Sequence, residues 1–143
     1  MELALEQARL AANLNETPIG AVLVWEGEVM ASAFNRRELD RIATAHAEIL
    51  AINEACRKLG GWRLHKATLY VTLEPCPMCA GAIINARIKR VVYGASDRKA
   101  GCCGSILDLF REPFNHHPEV TGGVLAEESA ALLSSFFKKL RKI

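Results

Sequence analysis

The 143-residue sequence has no hydrophobic run long enough to cross a membrane. The uncharged apolar stretch from Thr17 to Trp25 falls far short of the roughly 20 residues that a membrane helix needs. We expect no secretory signal ahead of this stretch. We therefore expect a cytoplasmic protein with no membrane partner.

The sequence also lacks a disulfide framework. It contains five cysteines, an odd number, and they do not fall in the spacings of a small disulfide-stabilised domain. That excludes the disulfide-rich secreted class and favours metal binding or free buried thiols.

Strong charge of one sign is absent as well. The formal net charge is only +2, which by itself does not indicate a nucleic-acid partner. Repeats, low-complexity segments and linkers are absent too, and half of the residues are hydrophobic. The composition therefore predicts one globular domain over residues 1–143.

Helical and strand periodicities alternate along the chain, which predicts an α/β fold with a partly parallel sheet. One expected helix has an inner face of Ala47, Leu50, Ala51 and Ala55 and stops at Gly60-Gly61. The other expected helices cover 2–14, 77–87, 106–110 and 126–141, and the expected strands cover 19–25, 29–34, 68–73, 88–93 and 120–124.

Two short segments carry a metal-ligand pattern. They are His46-Ala47-Glu48 and Pro75-Cys76-Pro77-Met78-Cys79. One imidazole and two thiolates form a zinc ligand set, and three protein ligands leave one coordination position open, as in catalytic sites. The sequence therefore predicts one Zn²⁺ per subunit, held by His46, Cys76 and Cys79.

Glu48 is not needed as a ligand and lies two residues from His46. At the start of a helix it can face the same centre and move protons on a zinc-activated water. The pattern H-x-E followed by P-C-x-x-C is typical of zinc nucleobase deaminases. The implied reaction is hydrolytic deamination, in which water adds to an amidine-like carbon and ammonia leaves.

Other interpretations of these residues are weaker. A redox Cys76–Cys79 pair would give His46 no role, and a structural zinc would need a fourth protein ligand. Cys102 and Cys103 are candidates for extra ligands, but small residues in a tight loop are the better interpretation.

From about Ala8 to Lys139 the sequence resembles the bacterial tRNA-specific adenosine deaminase family. The metal strings alone indicate only the wider cytidine-deaminase-like superfamily. The strings that carry the resemblance are Pro18-Ile19-Gly20-Ala21-Val22, Phe34-Asn35-Arg36, Thr44-Ala45-His46-Ala47-Glu48-Ile49 and Thr72-Leu73-Glu74-Pro75-Cys76-Pro77-Met78-Cys79-Ala80-Gly81-Ala82. The narrower evidence comes from Tyr93-Gly94-Ala95-Ser96-Asp97 with Lys99, Gly101, Gly104 and Ser105, from Asn115-His116 and from Phe136-Phe137.

The resemblance implies a cytidine-deaminase-like, three-layer α/β/α sandwich with a mixed five-stranded sheet. It also implies a homodimer that converts the wobble adenosine to inosine in the anticodon stem-loop of an arginine tRNA. Glu48 would be the proton shuttle. The residues implied to bind substrate are Asn35, Asp97, Lys99, Phe136 and Phe137. A strand-end turn would equally account for Asn35, and core packing would account for the two phenylalanines.

Basic residues fit an RNA substrate in two places. Arg36, Arg37 and Arg41 are expected near the mouth of the site, where they would contact phosphates. Lys138, Lys139, Arg141 and Lys142 end the last helix, a placement that the helix dipole also favours.

Two rival functions remain open from the sequence. One is a zinc deaminase of a free base or nucleoside of guanine or cytosine type. The other is a catalytically silent, zinc-stabilised RNA-binding subunit, in which Glu48 would have no task.

Overall fold

The computed structural model describes residues 1–142. In chain order, its helices and strands are α1 (Glu2–Asn13), β1 (Gly20–Trp25), β2 (Glu28–Phe34), α2 (Arg37–Asp40), α3 (Ala47–Leu59), β3 (Ala67–Leu73), α4 (Pro77–Asn85), β4 (Arg90–Ala95), β5 (Glu119–Thr121) and α5 (Ala126–Arg141). None of the helices in this described part is long and apolar enough to span a membrane.

The strands form one mixed sheet in the order β2-β1-β3-β4-β5. β1 runs antiparallel to β2 and β3, whereas β3, β4 and β5 are parallel. Helices α1 and α5 contact each other and the sheet, and α3 contacts both α4 and the sheet. These two helical layers around a mixed five-stranded sheet confirm the predicted α/β/α sandwich of cytidine-deaminase-like type.

Local sequence explains where the elements turn. The β1–β2 hairpin turns at Glu26 and Gly27, which have φ angles of 49° and 85°, the left-handed values that a tight two-residue hairpin turn requires. Helix α3 ends at Gly60 in the left-handed conformation, with φ of 76°.

Small residues let the helices lie close to the sheet. The inner face of α3 consists of Ala47, Ala51 and Ala55, all fully buried. On the other layer, a Cβ added to Gly20 would lie 2.0 Å from the carbonyl oxygen of Ala4. Helix α1 therefore packs directly on the backbone of β1.

The prediction of a helix over 106–110 is wrong. Ile106 and Leu107 are exposed, and the structure has only a 3₁₀ turn at Leu109–Arg111. The Asp108 side chain caps that turn by accepting the amide N–H of Phe110 at 3.1 Å. The Ile106 N–H donates to the carbonyl of Gly101 in the preceding loop. This hydrogen bond belongs to a turn and not to a helix over 106–110.

The short helix α2 was not predicted. The buried carboxylate of Glu16 accepts the amide N–H groups of Glu38 and Leu39 at 3.2 and 2.6 Å. This long-range cap stabilises a turn that has no amphipathic pattern of its own.

Candidate active site

The three predicted ligands lie at the N-termini of two helices. His46 is the N-cap residue of α3, and Cys76 is the N-cap residue of α4. Cys79 follows in the first turn of α4, and Pro77 occupies the first helical position, where its missing N–H has no cost. The helix starts therefore bring two distant segments of the chain to one point.

The ligand atoms have the spacing that zinc requires. His46 Nδ1 lies 3.6 Å from the Sγ atoms of both Cys76 and Cys79. All three ligand atoms lie within 4.8 Å of one another. Tetrahedral zinc with ordinary Zn–N and Zn–S bond lengths would separate N from S by about 3.6 Å. Within residues 1–142, these three residues form the one such metal-ligating group.

The electrostatics of the ligands also suit a cation. A hydrogen bond from Cys79, with a further contribution from His46, lowers the pKa of the Cys76 thiol to about 4. The same hydrogen bond to Cys76 and burial raise the pKa of Cys79. The surroundings thus favour the thiolate form of Cys76, which is the form that binds a metal cation.

Glu48 lies in the first turn of α3, with 4% of its surface exposed. Burial raises the pKa of its carboxyl group to about 7, and the nearby Cys76 adds to this effect. A carboxyl group that titrates near neutral pH can both accept and return a proton. Glu48 lines the same cavity as His46.

A cavity of about 600 Å³ opens onto His46 and Glu48. Its other walls come from the loops after β2 and β4 and from α5. Four of the five residues predicted to bind substrate line this cavity, namely Asn35, Asp97, Lys99 and Phe137.

Phe136 is not among the residues that line this cavity. It lies in a neighbouring groove of about 820 Å³ between the C-terminal ends of α1 and α5, which Lys138 and Lys139 also line. Its ring packs edge-on against Phe137, with 5.4 Å between the ring centroids.

Asn35 uses its side chain to shape the loop. Its Oδ1 accepts the Arg37 amide N–H at 3.1 Å, and its Nδ2 donates to the Thr17 carbonyl at 3.4 Å. Asn35 therefore both shapes the turn and lines the cavity. Its second amide hydrogen can donate to a ligand.

The three arginines that were expected near the mouth of the site occupy different positions in the structure. Arg37 lines the cavity. Arg36 instead pairs with Asp40 at 3.1 Å and lies over the Phe34 ring. Arg41 is exposed and does not line the cavity.

Two charged residues at the site were not among the predicted site residues. Arg98 lines the cavity, and Glu74 is buried directly behind the loop that forms one wall. The sequence signal for Glu74 is its position between an apolar strand and the cysteine ligands, where a carboxylate is expected to be buried. A buried charge needs hydrogen-bond partners, so such a residue indicates a structural or functional role. Cys102 and Cys103 lie outside the metal-ligating group.

A mixed sheet that presents a histidine, a Cys-x-x-Cys pair and a first-turn glutamate at helix starts defines a deaminase of the cytidine-deaminase-like class. Comparison with known proteins agrees. The MafB19-like deaminase family model matches residues 1–141.

Two relatives are named tRNA-specific adenosine deaminase. The protein of Bacillus subtilis is 54% identical over 99% of this chain and 89% of the relative, and that of Agrobacterium fabrum is 53% identical over 99% and 93%. A solved structure from a study of tRNA:A34 deaminases, which edit A to I at the wobble position, superposes with a TM-score of 0.90 at 52% identity, covering 93% of this chain and 97% of that one. The chain belongs to the tRNA-specific adenosine deaminase family and is an enzyme.

Guanine deaminases share the fold at lower identity. The enzyme from Nitrosomonas europaea has a TM-score of 0.78 at 28% identity, covering 94% of this chain and 81% of that one.

Proposed function

We propose that this enzyme deaminates adenosine to inosine at the wobble position of a tRNA anticodon, and that the tRNA accepts arginine. The observation that carries the proposal is the placement of Glu48 in one cavity with His46, beside the two cysteine ligands. The family membership supports tRNA as the substrate class, since the relatives named above are tRNA-specific.

The ligand spacing described above fits zinc, which His46, Cys76 and Cys79 would hold. When bound, zinc supplies a Lewis acid with one open position, at which a water becomes more acidic.

Glu48 moves the protons of the reaction. It accepts a proton from the attacking water and returns it to the ring nitrogen beside the reacting carbon. A second transfer places a proton on the departing amine, so that water and adenosine yield inosine and ammonia. Burial, which raises the pKa of Glu48 to about 7, suits it to both directions of transfer.

The cavity walls bind the nucleotide. Asn35 offers its remaining amide hydrogen to the flipped base or its ribose, and Phe137 covers the RNA side, with Phe136 packed against it. Asp97 and Lys99 contact the flanking anticodon nucleotides. An anticodon loop is single-stranded, so extrusion of its base costs little.

We also propose that two copies associate through the α3–α4 layer. Four large apolar side chains are exposed in the loops that follow α3 and β4: Trp62, Ile106, Leu107 and Phe114. A dimer in the cytoplasm, where tRNA is found, accounts for them. Sedimentation of wild type at twice the monomer mass supports this assembly, and a monomer at micromolar concentration contradicts it.

The substrate class is tested by presenting an arginine-tRNA anticodon stem-loop beside free adenosine, cytidine and guanine. We expect inosine in the stem-loop alone, and none with Glu48→Ala. Turnover of free guanine with an inert stem-loop would instead support the guanine deaminase function. Unchanged activity of Glu48→Ala would remove the proton shuttle from the account.

A further inference from the structure

Glu74 follows β3 directly and is 2% exposed. Its carboxylate accepts four hydrogen bonds. Three come from the backbone N–H groups of Asp97, Cys103 and Ser105 at 3.0, 2.9 and 3.1 Å, and one comes from the Ser105 hydroxyl. All four donors belong to the segment 96–105, which we call the wall loop.

No basic side chain within residues 1–142 forms an ion pair with Glu74. The wall loop alone therefore satisfies this buried charge. An ionised carboxylate offers about four acceptor sites, all used here, and hydrogen bonds to a charged acceptor are about twice as strong as neutral ones. One side chain thus fixes both ends of the loop.

The wall loop supplies Ser96, Asp97, Arg98 and Lys99 to the cavity. Gly101, later in the wall loop, packs directly against Glu74. A Cβ added to Gly101 would lie 2.4 Å from the carboxylate. Glu74 itself does not line the cavity. Its effect on a substrate must therefore pass through the loop.

We propose that Glu74 is a positioning residue that sets the affinity for the substrate, because it holds the wall loop where Asp97 and Lys99 meet the nucleotides beside the reacting base. The identity of that substrate rests on the proposed function. The anchoring of the loop does not, so the two are tested separately.

Glu74→Gln is the first test, since it keeps the shape but turns a carboxylate oxygen into an NH₂ group that faces backbone N–H donors. In the zinc-loaded enzyme we expect KM for the stem-loop to rise about tenfold or more, with kcat and zinc content nearly unchanged. Glu16→Gln is the matched control for the loss of an equally buried carboxylate, because the hydrogen bonds of Glu16 go to Glu38 and Leu39 of α2 and not to the wall loop. Since α2 also carries the cavity residue Arg37, this control is compared through its coupling to Lys99 and its wall-loop exchange, not through KM.

A double-mutant cycle with Lys99→Ala tests whether Glu74 acts through the loop. Lys99→Ala should cost clearly less kcat/KM in the Glu74→Gln background than in wild type, and its full cost in the Glu16→Gln background. Additive effects in both backgrounds would overturn the proposal.

Gly101→Ala provides a second variant in case Glu74→Gln does not fold. It pushes a methyl group into the carboxylate and should reproduce the rise in KM. Gly61→Ala is its control, because nothing lies within 4 Å of a Cβ added there. An unchanged KM for Gly101→Ala counts against the proposal.

Amide hydrogen exchange of the zinc-loaded enzyme without RNA tests whether Glu74 anchors the wall loop. This measurement does not depend on the reaction. Exchange at Asp97, Cys103 and Ser105 should accelerate in Glu74→Gln but not in Glu16→Gln. Unchanged exchange overturns the proposal, and so does a loss of zinc that accounts for the lost activity. If wild type deaminates only free bases, the proposed function fails while the exchange result still decides the role of Glu74.

Discussion

Glu48 and Glu74 are buried carboxylates on neighbouring elements, and their surroundings give them opposite properties. Burial raises the pKa of Glu48 to about 7. Burial would also raise the pKa of Glu74, but hydrogen bonds from Ser105 and from backbone amides outweigh it and lower that pKa. One residue is therefore suited to carry a proton and the other to remain a fixed anion.

Arg37 and Arg41 form a matched pair for testing phosphate contacts. Arg37 lines the cavity and Arg41 does not. Arg37→Ala should weaken stem-loop binding and reduce the slope of log K against log salt by about 0.7, the value for one single-strand phosphate contact. Fluorescence anisotropy titrations at several salt concentrations measure this slope. Equal effects of Arg41→Ala would show that general charge, and not the cavity arginine, binds the RNA.

Within residues 1–142, the buried hydroxyl group of Ser129 has no hydrogen-bond partner. Replacing it with alanine removes an unsatisfied polar atom, so Ser129→Ala should raise the free energy of unfolding by about 1 kcal/mol. Ser134, exposed on the same helix, is the control for helix propensity. Denaturant unfolding measures both variants, and a loss of stability specific to Ser129→Ala contradicts this account.

At the scale of elements, the site depends on where helices begin. His46 and Cys76 each cap a helix that follows a loop, so their side chains meet although 30 positions separate them in the chain. Unpaired N–H groups and the positive ends of the two helix dipoles favour thiolate ligands there.

The contact of α1 with β1 is a further element-scale feature. A Cβ at Gly20 would meet the backbone of α1 at 2.0 Å, so Gly20→Ala must displace the helix. We expect a loss of about 3 kcal/mol of unfolding free energy or more. Gly61→Ala, where a Cβ meets nothing, should change stability by less than about 1 kcal/mol. Chemical denaturation compares the two, and equal stabilities would refute the close packing.

How far the sequence predicts the fold differs between elements. The span of α5, with acidic residues at its start and basic residues at its end, was predicted as observed because its periodicity and charges agree. The segment 106–110 is apolar but not helical, because Asp108 and backbone turns use its hydrogen bonds. Helix α2 depends on Glu16, a contact across 22 positions that no local pattern reveals.

The site residues also differ in how well the sequence predicts them, depending on whether their roles follow from a local motif or from a long-range contact. His46 and Glu48, and likewise Cys76 and Cys79, stand in short motifs, so residue types and spacing are sufficient to predict that these side chains meet at one site. Glu74 and Arg98 have no spacing signal, because their roles depend on how the wall loop folds back. Phe136 and Phe137 are neighbours in sequence, yet only Phe137 lines the cavity, since adjacent helical residues point in different directions.

At the scale of the whole molecule, zinc would join two elements of one helical layer. His46 is the N-cap residue of α3 and Cys76 that of α4, so a shared ion would stabilise the folded state over the unfolded one. Removal of the metal with a chelator should lower the thermal midpoint and abolish activity, and added zinc should restore both. Activity that survives complete removal of zinc, as measured by elemental analysis, would contradict the site.

The most direct test of the central claim is to map inosine after the zinc-loaded enzyme has acted on a pool of bacterial tRNA that lacks inosine. Sequencing should show inosine at one position only, the wobble adenosine of an arginine tRNA, and no inosine after treatment with Glu48→Ala. Inosine at scattered adenosines, or none in tRNA while a free base is deaminated, would contradict the account.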